Sequence, residues 1–350
     1  MDFMNTQQNI KIISFNFYLI TPCRLIFISM NYKRYVDISS DIRDNLHLLK
    51  KEKFDLVVGI PRSGMIPAYM IALSLNLNCT TVQAYIKNDK LLHGDTRKVS
   101  NPMEYPWEAT KVLVVDDSIS TGRSLNKLKQ TFPPELLKKS TFLAIYSSKP
   151  NHSEIDIALQ YVSNPRVFEW NIFHHPMLGD SYMEMEGILC QVPTEDQKST
   201  DNRYLEYIRT ANTYIVPNHR IKTIITCRKE KYRAETEEWL RINGIKYEQL
   251  IMSPSSGKDK SIRSKSSYKI KVKYYKEADA GIFFESDPEE AKQICKVTSK
   301  PVYCVGNNRM YTPGILDQVL YDHKFFPKHY MDFKIRYKLF IKMLTSKLAG

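Results

Sequence analysis

The stretch Val112-Leu-Val-Val-Asp-Asp-Ser-Ile-Ser-Thr-Gly-Arg-Ser124 constrains the fold more than any other part of the chain. Residues 111–115 form a short β-branched run of the kind buried on both faces of a parallel sheet. Asp116 and Asp117 follow at once, then a loop of small donors at 118–122, and from 124 to 132 the spacing turns helical. Strand, tight loop and helix make a βα unit, and residues at the carboxyl end of such a strand face the ligand crevice. Two adjacent carboxylates suit paired sugar hydroxyls, which donate hydrogen bonds, and they can orient Mg2+ through waters. The loop amides, the Ser120 and Thr121 hydroxyls and the start of the helix suit a dianionic phosphate. A sugar phosphate satisfies both ends.

A second βα unit precedes it. Residues 38–51 show helical spacing at Ile38, Ile42, Leu46 and Leu49, and Phe54-Asp-Leu-Val-Val-Gly-Ile60 reads as another buried strand. It ends in Pro61-Arg-Ser-Gly64 and an apolar helix over 65–75. This geometry points backbone N–H groups at an anion, Arg62 adds a charged fork, and Gly64 allows a steep turn. An ordinary βα turn has the same outline.

Together the two units resemble type I phosphoribosyltransferases over about residues 33–165. Val112 to Ser124 matches the family's motif for phosphoribosyl pyrophosphate (PRPP) without a gap, and Gly59-Ile-Pro-Arg-Ser-Gly64 resembles its pyrophosphate loop. The resemblance implies that Asp116 and Asp117 hold the ribose hydroxyls, serve catalysis and take Mg2+. Ser118, Ile119, Ser120, Thr121 and Gly122, with Arg123, would hold the 5-phosphate; Arg62, Ser63 and Gly64 would hold the pyrophosphate. The family's mobile hood falls on residues 85–107, with Gly94-Asp-Thr-Arg97 as its core and Arg97 as a catalytic candidate; an ordinary solvated loop is the alternative. The implied partners are PRPP and a small nitrogenous acceptor. One position departs from the purine-salvage members, which carry an acid where Ser120 stands, so the pattern is closer to orotate- or amidotransferase-type members. A non-catalytic PRPP-binding regulator is the rival reading.

The second half alternates again, with strands expected at 184–190, 223–226, 280–285 and 302–305 and helices at 229–243 and 287–298. Its order is similar to the haloacid dehalogenase (HAD) superfamily. Ile224-Ile-Thr-Cys-Arg228 resembles the second motif, with Thr226 contacting a phosphoryl group. Lys269 or Lys271 stands for the motif lysine, and Phe283-Phe-Glu-Ser-Asp287 for the acidic fourth motif, with Glu285 as its acid. The first motif should read Asp-x-Asp-Gly; here it is Glu184-Met-Glu-Gly, and each carboxylate is one methylene too long. Angstrom-scale displacement of a reacting group costs about 100-fold, so a decayed phosphatase is favoured over an active one, with ligand binding left open. The expected fold is therefore α/β, with two parallel-sheet α/β domains: a type I phosphoribosyltransferase fold at 30–165, then a HAD-like Rossmannoid fold at 166–325. Residues 1–29 read as an extension and 326–350 as a basic amphipathic tail.

A net charge of +13 suits phosphorylated ligands, nucleic acid or an anionic membrane. No aromatic-plus-basic module is recognisable, so small anionic ligands rank above nucleic acid as partners. The six cysteines include no CxxC pair, which points to a reducing, cytoplasmic setting. Residues 12–29 are apolar but contain Pro22 and Arg24, so membrane contact is the lesser reading, and Met30 offers an alternative start. A homodimer is compatible with the sequence. Trp170-Asn-Ile-Phe-His-His175 reads as aromatic packing rather than a metal site.

Overall fold

The computed structural model describes residues 30–94, 98–254 and 267–313. The apolar extension, the hood core at Arg97 and the basic tail lie outside the described residues. Thirteen strands are present among the described residues. They are β1 (Asn31–Lys33), β2 (Leu56–Gly59), β3 (Asn78–Thr81), β4 (Val112–Ile119), β5 (Ser140–Ser147), β6 (Ile157–Tyr161) and β7 (Arg166–Phe168), then β8 (Ser181–Glu184), β9 (Ile221–Lys229), β10 (Tyr247–Ser253), β11 (Ile282–Glu285), β12 (Val302–Cys304) and β13 (Arg309–Tyr311).

The first sheet has the order β3-β2-β4-β5-β6 with every pair parallel. Strand β4 is central because its sequence tolerates burial on both faces. Leu113 and Val115 enter one core layer with Ile38, Ile42 and Ile71, while Val112 and Val114 enter the opposite layer with Tyr85 and Phe142. Full burial of each such side chain contributes about 1.5–3 kcal/mol. The strand order reverses between β2 and β4, and the ligand crevice of a doubly wound sheet lies at such a point.

The second sheet runs β10-β9-β8-β11-β12-β13. Its first five strands are parallel and its order reverses at β8, but β13 pairs antiparallel with β12. The expected all-parallel sheet is thus a mixed one. The change comes at a tight return over 305–308, where Asn308 takes a left-handed φ of 54°, too short a connection for a parallel crossover.

The two halves share a small ladder. Strands β1 and β7 pair in parallel, with Tyr32 opposite Val167 and Lys33 opposite Phe168. Side chains alternate across a strand, so Val167 packs in the core of the second half while Phe168 packs in that of the first. Tyr32 and Tyr303 both donate to Asn308 Oδ1, which ties the ladder to the far end of the second sheet.

Several expected boundaries move for physical reasons. Residues 184–190 were expected as one strand, yet β8 ends at Glu184 and Gly187 turns the chain at φ +79°. Met185, Ile188, Leu189 and Cys190 are nonetheless fully buried, so the apolar run belongs to a buried loop. Strand β9 continues through Lys229, and the helix expected from 229 begins at Arg233 after a 3-10 turn. Strand β4 extends through the acidic pair to Ile119, so the small-residue bend starts at Ser120. Among the described residues no helix is long and apolar enough to cross a membrane.

Candidate functional site

At the β2/β4 reversal, β2 hands over to the 60–64 loop, and the Ile60 amide still donates to Val115 O at 2.9 Å. The loop presses so closely on β4 that a Cβ on Gly64 would lie 2.6 Å from Ile60 O and 2.7 Å from Val115 O. Only glycine fits there. This close approach carries the Ser63 hydroxyl across to the acidic pair, where it donates to Asp117 Oδ1 at 2.7 Å. The Pro61–Arg62 peptide is cis, and the Arg62 side chain is exposed.

Asp117 is buried, and its second oxygen accepts from Trp170 Nε1 at 2.7 Å. Asp116 is less buried, and its Oδ1 accepts from the Asp117 amide at 2.9 Å. Burial and the neighbouring Asp117 charge push the Asp116 carboxyl up to about 8. A desolvated carboxylate pair in this state is a hard, all-oxygen donor set that gains from a divalent cation. Mg2+ therefore fits, with Asp116 the better-disposed ligand because both Asp117 oxygens already accept hydrogen bonds.

Beyond the pair, the chain bends at 119–122. The Ile119 carbonyl accepts from Arg166 Nη2 at 2.6 Å and from the Ser148 amide at 3.0 Å. The Ser120 carbonyl accepts from Ser148 Oγ and lies against His152 Nε2, both at 3.0 Å. In a trans peptide the C=O and the following N–H point in opposite directions, so the Ser120 and Thr121 amides are turned away from these side chains. Gly122 takes φ +78° and opens the helix Arg123–Lys129. Ser120, Thr121 and Arg123 are exposed, and Ser118 is half-buried in β4. The bend thus offers donors to an anion, while the strand end offers acceptors to hydroxyls.

Of the expected hood, the flanks are packed: Leu91 and Met103 are buried, and Trp107 Nε1 donates to the Tyr85 carbonyl at 2.8 Å. Arg97 lies outside the described residues.

The second acidic group forms at the β8/β11 reversal. Lys271, from the helix Ser267–Glu277, is 1% exposed and donates to Glu184, to Glu285 Oε2 at 2.8 Å and to Glu290 Oε2 at 2.7 Å. Glu184 also accepts from Ser286 Oγ at 2.7 Å, and Glu285 from the Ser286 and Asp287 amides. Burial opposes ionisation of Glu184, but Glu285 and the Lys271 ammonium overcome it and hold its carboxyl below the usual range. Burial and the Glu184 charge push Glu285 up. The three carboxylates offer oxygens within 4.8 Å of one another, a spacing that suits a cation, and the ammonium supplies that charge.

Lys269, expected as the motif lysine, is instead exposed. The helix faces inward at Tyr268, Lys271, Val272 and Tyr275, and Lys269 falls on the other side. Thr226 does not face an open phosphate site; it donates to Glu186 Oε2 at 2.8 Å. Glu186 is further held by Arg228 Nε at 2.6 Å, from a guanidinium whose side chain is fully buried. Trp170, Arg166, His152, Glu290 and Arg228 were given no site role from sequence, whereas Lys271 was named there as the alternative to Lys269. For Lys271 the helical spacing to Tyr275 is a usable signal, whereas the others meet their partners across long sequence separations.

Comparison with known proteins finds similarity in the first half. Residues 31–176 match the family model described as phosphoribosyl transferase domain. The xanthine-guanine phosphoribosyltransferase of Desulfotalea psychrophila is 28% identical over 165 residues, covering 43% of this chain and 97% of its own length. The orotate phosphoribosyltransferase of Staphylothermus marinus is 39% identical over 94 residues, covering 26% of this chain and 41% of its own length. A solved structure of a purine phosphoribosyltransferase from Pyrococcus horikoshii is similar at 17% identity and a TM-score of 0.30, over 41% of this chain and 94% of that one.

Proposed function

We propose that the first half binds PRPP and transfers ribose 5-phosphate to a nitrogenous acceptor, releasing pyrophosphate. The observation that carries this reading is the Ser63–Asp117 contact at the sheet's reversal point, which joins the candidate pyrophosphate loop to the acidic pair. In the reaction the bond from the anomeric carbon to pyrophosphate breaks and a carbon–nitrogen bond forms. The acceptor nitrogen loses its proton to solvent or a base, since Ser120 is a poor base at neutral pH. Asp116 and Asp117 hold the ribose hydroxyls, the 118–122 segment holds the 5-phosphate with Arg123 nearby, and Arg62, Ser63 and the Gly64 turn hold the leaving pyrophosphate. Mg2+, when bound, neutralises pyrophosphate charge.

The relatives' names suggest a purine or pyrimidine base as acceptor. The test incubates the full chain with isotope-labelled PRPP, Mg2+ and a panel including xanthine, guanine, hypoxanthine and orotate. Acceptor-dependent pyrophosphate release supports the transferase. Saturable PRPP binding without release for any acceptor would favour a PRPP-binding regulator instead.

For the second half, a HAD-like layout without phosphatase turnover is the favoured reading. Glu184, Glu186 and Thr226 are each engaged by protein partners, and the two glutamates are longer than the aspartates the motif requires. Turnover of p-nitrophenyl phosphate that disappears in Glu184→Gln would overturn it.

A further inference from the structure

We propose that Arg166 and Trp170 are positioning residues of the phosphoribosyl site: Arg166 sets the phosphate bend and Trp170 sets the Asp117 carboxylate. This role presupposes the PRPP reading above. It lies outside the contiguous motif, on a short segment that follows Pro165 and includes β7.

Every acceptor of Arg166 is a main-chain carbonyl. Its Nη2 donates to Ile119 O at 2.6 Å, and its Nη1 to Tyr146 O at 3.3 Å and Val162 O at 3.5 Å, while its guanidinium lies over the Phe168 ring. Holding the Ile119 carbonyl turns the next amide, that of Ser120, the other way. A partly buried guanidinium whose hydrogen bonds all go to carbonyls also brings positive charge close behind the bend, which favours a dianion in front of it.

Trp170 works on the other end of the motif. Ser63 Oγ and Trp170 Nε1 occupy different oxygens of Asp117, each at 2.7 Å, and so fix the plane of the carboxylate. A carboxylate accepts about four hydrogen bonds, so positions remain for ribose hydroxyls. The indole itself is held in a stack, 4.8 Å from the Phe168 ring at 8° and 6.2 Å from the Tyr146 ring at 18°. Donors locked by packing hold a site more accurately than free ones. Because Val167, between Arg166 and Phe168, sits in the core of the second half, that half helps to place the clasp.

The test uses the full chain and the two parts of PRPP as separate probes, ribose 5-phosphate and inorganic pyrophosphate, titrated calorimetrically with Mg2+. Trp170→Phe keeps the stack and removes only the N–H; Arg166→Met removes the fork; Arg166→Lys restores a charged donor. We expect Trp170→Phe and Arg166→Met to weaken ribose 5-phosphate by about ten-fold, the effect of one charge-assisted hydrogen bond. Pyrophosphate affinity should fall less than ribose 5-phosphate affinity, since the 60–64 loop meets Trp170 through the shared Asp117 carboxylate, and Arg166→Lys should recover part of the loss. Equal weakening of both probes would assign the residues a purely structural role and overturn the proposal. Unchanged ribose 5-phosphate affinity in both variants, with a wild type that binds PRPP, would overturn the positioning roles alone. Failure of the wild type to bind PRPP would overturn both the clasp and the function it serves.

Discussion

Replacing Lys271 by Met tests how the second half holds its buried acids. The substitution keeps most of the side-chain volume and deletes the ammonium that bonds Glu184, Glu285 at 2.8 Å and Glu290 at 2.7 Å. Lys271 is 1% exposed and Glu285 0%, so water does not replace the lost partner. Breaking a buried ion pair from one side costs about 3–5 kcal/mol. In the variant, the Glu184 and Glu285 carboxyls would sit in the folded state above the ~4.3 of an unfolded glutamate. Stability tied to such groups is complete below the unfolded value and is lost as pH rises through the folded one. The deficit relative to wild type should therefore reach about 3–5 kcal/mol at pH 8 and narrow by more than about 1 kcal/mol at pH 5. Urea unfolding, followed by circular dichroism and by fluorescence, measures it; Trp239, buried in the same core as Met183, reports on this half. Lys271→Met/Glu285→Gln should recover part of the loss. A deficit under ~1 kcal/mol, or one independent of pH, would refute the view that the ammonium neutralises this cluster.

Other consequences concern the first half. Gly64→Ala forces the new Cβ against Ile60 O at 2.6 Å and should lower PRPP affinity more than about ten-fold by calorimetry, since small misplacements of binding groups are costly. Gly122→Ala meets both a left-handed φ of +78° and the Glu154 side chain at 2.6 Å, and should destabilise the fold by about 1 kcal/mol or more in thermal melts. Asp116 has its folded pKa raised to about 8, so its stabilising contribution is full below ~3.9 and is lost as pH rises through about 8. Asp116→Asn should accordingly raise the melting temperature of the ligand-free protein at pH 9 while removing PRPP binding, and a lower melting temperature there would contradict the assignment.

What the sequence disclosed depended on contiguity. Residues 112–124 were readable because strand, acids, loop and helix follow one another, and β4 and its bend carry them in that order. The Asp117–Trp170 and Ile119–Arg166 bonds join residues 53 and 47 positions apart, which no local pattern encodes. The run at 184–190 looked like a strand because Met185, Ile188, Leu189 and Cys190 are apolar; burial alone explains that composition, and the left-handed φ at Gly187 decides the conformation. Lys269 and Lys271 were equivalent by composition, and packing of the helix face with Tyr275 separates them.

The central claim is that Asp116 and Asp117 form a phosphoribosyl site, and calorimetric titration of the full chain with PRPP and Mg2+ tests it most directly. The account predicts saturable binding at one site, lost in Asp116→Ala/Asp117→Ala and retained in Glu184→Gln. Binding that survives the double alanine variant, or no binding by the wild type, would contradict it.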